Sequence, residues 1–154
     1  MNVKATLSPD DLARACADAM WKDDAATQAL GMKLVSIAPG QAVITMAVTA
    51  PMVNGHKICH GGYIFTLADS AFAFACNTYN QRTVAQHCAV TFLTSAKLGD
   101  KLVARAVERQ RSGRSGIYDV TVTREEGNVI AEFRGHSRTI EGALLPDTKA
   151  ASKA

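Results

Sequence analysis

The stretch HGGYIFTLADSAFAFACNT, residues 60–78, carries the reading on which the fold turns. From 63 to 78 it reads as one helix, with Ile64, Leu67, Ala68, Ala71, Phe74 and Ala75 in an apolar stripe at helical spacing. Phe65, Phe72, Ala73 and Cys76 extend the apolar character round the other side. A helix apolar on nearly all faces has to be enclosed by its neighbours. Yet one carboxylate, Asp69, lies at its middle, where it cannot serve as a cap.

The neighbours read as strands. KLVSIA at 33–38, a Pro39-Gly40 turn and QAVITMAV at 41–48 predict a hairpin. After the helix come four β-rich runs at 83–94, 102–111, 117–124 and 129–140. They are separated by LGD, SGRS and EEGN, which read as turns between antiparallel neighbours. Ahead of the hairpin, residues 8–30 predict short helices: Ser8 caps, Pro9 suits the first helical position, and Gly31 stops the second piece. The pattern is α+β, about six antiparallel strands wrapped round one helix in a single domain over 1–140. Residues 141–154, small and polar with Pro146, read as a frayed tail.

Composition narrows the function classes. The 154 residues suit one domain with a real core. A net charge of +3, with the 17 basic residues dispersed, argues against a nucleic-acid partner. The N-terminal residues lack an apolar run and carry Asp10, Asp11 and Asp18, which predicts no secretory signal and a cytoplasmic protein. The most apolar run is too short to span a bilayer and contains Asp69, so no membrane role is expected. Cys16, Cys59, Cys76 and Cys88 are scattered and read as free thiols. His56, Cys59 and His60 are compactly spaced, but the lack of a second clustered pair speaks against a metal site.

Asp69 is the candidate for chemistry. A charge in an enclosed helix costs several kcal/mol unless it shifts its pKa, finds a donor or lines a cavity; the plainer reading sets it at a solvated rim. At the other end, His60-Gly61-Gly62 opens the first turn, where free backbone N–H groups and the helix dipole favour a developing oxyanion. Glycine there lets a carbonyl approach closely, or simply makes a flexible helix start. From Gly61 to Asp69 the helix rises about 12 Å, too far for one carbonyl to touch both. A catalytic Asp69 therefore requires a second copy, its helix antiparallel about a two-fold axis, so that Gly61 of one chain lies beside Asp69 of the other.

The combination of Asn54-Gly55-His56, His60-Gly61-Gly62 and Leu67-Ala68-Asp69, followed by long strands, resembles the hotdog-fold acyl-CoA thioesterases. Read whole, VNGHKICHGGYIFTLADSAFAFACN is similar to the phenylacetate-degradation group. The resemblance, over about 28–140, implies hydrolysis of phenylacetyl-CoA or hydroxyphenylacetyl-CoA without a cofactor, by dimers paired into a tetramer. By it Asp69 is nucleophile or general base, the partner's Gly61 amide polarises the thioester carbonyl, and Asn54 and His60 position it. Relatives often add a strand Ser or Thr, and Thr83, Gln86 and Thr91 are all candidates. Arg109, Arg111 and Arg114, round a Gly-containing turn, are the densest cationic cluster for CoA phosphates, with Lys97 and Arg138 as lesser candidates.

Rival readings fare less well. Cys59 has His60 only as a sequence neighbour, and Ser115 lacks a nucleophile-elbow pattern. A hotdog hydratase or dehydratase would want a His after Asp69 on the helix, and none comes before His87. A non-catalytic acyl-CoA sensor usually accompanies a DNA-binding region, which the short N-terminal helices do not resemble.

Overall fold

Ser8 begins the described architecture by accepting the Asp11 N–H, with Pro9 in the first turn behind it, as the sequence predicts. The computed structural model describes residues 6–145. Helix α1 (Pro9–Asp23) buries Ala13, Cys16 and Ala17, and Asp24 caps the short α2 (Ala25–Ala29). Strands β1 (Lys33–Ala38) and β2 (Gln41–Ala47) form the expected hairpin. A loop with one 3-10 turn (Ala50–Met52) leads into α3 (Gly61–Cys76). Then follow β3 (Thr83–Phe92), β4 (Lys101–Ser112), β5 (Ser115–Arg124) and β6 (Val129–Thr139).

All six strands join one antiparallel sheet in the order β1-β2-β4-β5-β6-β3. It wraps α3, whose Leu67, Ala68, Ala71, Phe72, Phe74 and Ala75 are buried against it. Phe72 packs 5.5 Å from Tyr118 of β5 and 5.8 Å from Phe133 of β6, centroid to centroid. Gly135 on β6 makes this possible: a Cβ there would meet the Phe72 ring at 2.8 Å. No helix among the described residues is long and apolar enough to cross a membrane.

Three features differ from the sequence reading. First, β3 and β4 are not neighbours: LGD ends a crossover that carries the chain from the edge strand β3 to β4, between β2 and β5. Side-chain and backbone bonds hold that crossover, Cys59 N–H to the Ala96 carbonyl at 2.7 Å and Arg124 Nε to Asp100 at 2.9 Å. A Gly-Asp turn suits a crossover as well as a hairpin, so its composition does not separate the two. Second, α3 is not enclosed all round. Gly62 is exposed, and Phe65, Thr66, Asp69 and Ala73 are half-buried, at helical spacing.

Third, the segment after β6 does not leave the body at once. Asn80 Oδ1 accepts the N–H groups of Leu144 and Leu145, and the Arg82 N–H bonds the Gly142 carbonyl. The remainder of the expected tail, 146–154, lies outside the described residues.

Candidate active site

His60 is the N-cap of α3: its Nδ1 accepts the Gly62 N–H at 2.9 Å, and its carbonyl accepts the Tyr63 N–H at 3.0 Å. Of the first three amides of the helix, Gly61 alone is left without an acceptor among the described residues. The His60 ring stands edge-on to Tyr63, 6.2 Å between centroids. Its observed work is thus to build the helix start that presents the Gly61 N–H at the positive end of the dipole.

Asn54 organises the loop before it. Its Oδ1 accepts the His56 N–H at 3.0 Å and the Ile58 N–H at 3.4 Å, so the amide oxygen is engaged and the Nδ2 face remains to donate. Asn54 and Gly61 share an open, mostly apolar cleft of about 380 Å³ with Ile58, Ile64, Phe92 and Leu93. Phe92 leans over the helix start closely enough that a Cβ on Gly61 would meet its ring at 2.8 Å. Cys59 is buried, and burial pushes its thiol up, which suits packing rather than nucleophilic attack.

Asp69 lies two turns further on, half-buried and without an ion pair among the described residues. Burial pushes its carboxyl above the ordinary value, and a hydrogen bond from Cys88 pulls it part of the way back. That bond, Cys88 Sγ to Asp69 Oδ1 at 3.9 Å, comes from β3, the edge strand. The polar residues expected on this strand stand elsewhere. Thr83 bonds the Gln81 carbonyl at the strand's start, while Gln86 and Thr91 are exposed.

Cys88 is the neighbour that sequence reasoning missed. Period-two alternation shares its face with Val90 and Phe92, but an irregularity between Ala85 and His87 resets the phase and hides the pattern. His87 turns away, its ring 5.3 Å from that of His136 on β6.

The antiparallel sheet wrapped round one helix is shared with known proteins. The thioesterase superfamily model matches residues 56–131. Acyl-coenzyme A thioesterase PaaI of Escherichia coli is 44% identical over 128 residues, 83% of this chain and 91% of the relative. The chain belongs to the thioesterase superfamily. The structure of that E. coli protein, from the phenylacetic acid degradation operon, superposes on this thioesterase with a TM-score of 0.87, covering 88% of this chain and 99% of the other at 43% identity. A Streptococcus mutans protein solved with acetyl CoA bound gives a TM-score of 0.70 at 26% identity, covering 73% and 90%.

The thioesterase's arginine cluster sits beyond the other end of α3. Arg111 lies 3.5 Å over the Tyr79 ring and bonds Glu108 at 2.7 Å, while Glu108 also receives the Tyr79 hydroxyl. Burial, then the Glu108 bond, push that phenol up to about 12. Arg114 Nε donates to the Thr139 carbonyl at 3.0 Å. Arg109 is the most loosely held, 3.5 Å from Asp119 with its side chain 61% exposed. Neither Arg109, Arg111 nor Arg114 contacts Asp69 or Gly61 of the same chain.

Proposed function

We propose that this protein hydrolyses acyl-CoA thioesters to the free acid and CoA, with aryl-acetyl chains such as phenylacetyl or hydroxyphenylacetyl as substrates. One observation carries the reading: a helix whose free Gly61 amide and half-buried Asp69 carboxylate both border the open β3 side of the sheet. The amide stabilises the oxyanion that forms when the carbonyl is attacked. The carboxylate, short of hydrogen-bond donors and partly desolvated, either attacks the carbonyl carbon or takes a proton from the water that does. The C–S bond then breaks, and the thiolate leaves and is protonated; where Asp69 itself attacks, a water then hydrolyses the resulting mixed anhydride, releasing the acid and restoring the carboxylate. The aryl acyl class draws support from the apolar cleft beside Gly61 and from the likeness to PaaI.

Gly61 and Asp69 of one chain are about 12 Å apart, so the reading requires two subunits per site. Among the described residues the outer edge of β3 has no strand beside it, and Phe92 and Leu93 near its end are 50% and 57% exposed. A second copy pairing there sets the two helices side by side and each Gly61 toward the other chain's Asp69. The family likeness further supports pairing of such dimers into a tetramer. CoA phosphates are assigned to the turn bearing Arg109, Arg111 and Arg114, which lies past the end of α3, itself about 10 Å of helix rise beyond Asp69.

The test is thiol release from phenylacetyl-CoA, hydroxyphenylacetyl-CoA and a straight-chain acyl-CoA. Wild type is expected to prefer the aryl substrates, and folded Asp69→Asn to lose about a thousandfold or more of kcat, as loss of a nucleophile or base does. Release that is absent, or indifferent to Asp69, rejects the mechanism.

A further inference from the structure

We propose that Cys88 is a positioning residue for Asp69, its thiol donating to Oδ1 and turning the carboxylate toward the open side of the sheet. The inference rests on the thioesterase reading. Among the described residues Cys88 supplies the hydrogen bond that reaches this carboxylate, at 3.9 Å, from a strand rather than from the helix itself. The strand fixes it: Cys88 pairs with Gly135 of β6 in a register that continues through Val90 and Phe133.

The surroundings leave that contact to govern the carboxylate. Phe65 and Phe72, one turn either side, pack on Phe133 and Tyr118. The titratable groups near Asp69 are Cys88 from β3 and Cys76 from α3 itself, with Tyr118 of β5 further along beneath Phe72. Glu108 of β4 is engaged with Tyr79 and Arg111, and β2 presents Ala42, Ile44 and Met46. Arg134 of β6 pairs with Asp119 on the far face of the sheet.

A thiol suits the task in a particular way. Burial and the charge of Asp69 hold Cys88 up to about 11, so it keeps its proton and remains a donor through neutral pH. As a weak donor it orients the carboxylate while removing less of its basicity than a hydroxyl would. An orienting bond of this kind leaves the carboxylate both directed and reactive.

The experiment compares wild type, Cys88→Ala and Cys88→Ser, each first shown to be folded by circular dichroism. Two readouts are taken: the acid limb of kcat/KM for phenylacetyl-CoA, and a carbon-13 NMR titration of the Asp69 carboxyl, assigned with Asp69→Asn. Losing the donor is expected to move the limb in Cys88→Ala to higher pH by about half a unit, a loss of about threefold in kcat/KM below the limb. Cys88→Ser, which keeps a donor, is expected to return the limb to the wild-type position or lower. A Cys88→Ala limb that stays in place while wild type hydrolyses the substrate overturns the proposal and leaves the thioesterase reading intact. If wild type releases no thiol, that reading fails, and the Asp69 midpoint alone decides: raised in Cys88→Ala it upholds the contact, unmoved it rejects it.

Discussion

Asp69 is placed where the needs of folding conflict with those of the chemistry proposed for it. Its carboxyl is raised by burial above the usual value of 3.8. In the window from that value up to the folded pKa, the native chain keeps a proton that the unfolded chain gives up. Stability therefore falls as pH rises through the window and stays lower at neutral pH. Asp69→Asn removes that loss, so the variant is expected to melt higher than wild type at neutral pH, with the gap closing as pH drops below 3.8. Paired thermal melts across that range check it; a gap that widens toward acid pH would show that the native pKa is lowered instead. Gly61 offers a complementary change. It is the first helical residue, and His60 before it has an extended backbone, φ −60° and ψ 130°. Gly61→Pro is compatible with both positions and deletes the N–H without breaking the helix. With Phe92 swung aside, a loss of about 10²–10³ in kcat is expected, against a melting temperature near that of wild type. The candidates Asp69 and Gly61 were legible because each breaks a local rule, a charge amid apolar residues and glycines opening a helix, whereas His60 and Asn54 were read from the family resemblance. Cys88 was not legible, since a cysteine on a strand breaks no such rule.

At the scale of elements, the strands and the central helix were readable because their periods are strong and their apolar runs long. Every predicted strand ended within two residues of its observed bounds. What periodicity could not supply was adjacency, which depends on contacts between residues far apart in sequence. Hence the LGD segment reads as a hairpin turn when it closes a crossover from β3 to β4. The β4–β5 turn shows a second limit, since a run of arginines looks the same in sequence whether its members face solvent or hold the fold. Arg111 holds the fold, stacked on Tyr79 and bonded to Glu108. Arg109 has one long ion pair at the surface, of a kind that adds little stability. Arg111→Ala is thus expected to lower the melting temperature measurably. Arg109→Ala is expected to leave it unchanged and raise KM for acyl-CoA, with the effect fading as salt is added. Equal stability losses for the two variants would dissolve the distinction.

At the scale of the molecule, the question is whether one chain holds a complete site. The 12 Å of helix between Gly61 and Asp69 and the β3 edge, unpaired among the described residues, both speak against it. In an antiparallel dimer each site takes its amide from one subunit and its carboxylate from the other. Gly61→Pro and Asp69→Asn homodimers are each inactive at both sites. In a mixed dimer, one site joins the two defects and is dead. The other combines the intact Gly61 of the Asp69→Asn chain with the intact Asp69 of the Gly61→Pro chain. Co-refolding equal amounts gives mixed dimers as about half the population, with one working site in two, so about one quarter of wild-type activity is expected to return. Sites confined to single chains would return none, because every chain in the mixture carries one of the two lesions. Recovery near a quarter, following the fraction of mixed dimers as the ratio of the variants is changed, would tie the chemistry to the subunit boundary more directly than measuring oligomeric state.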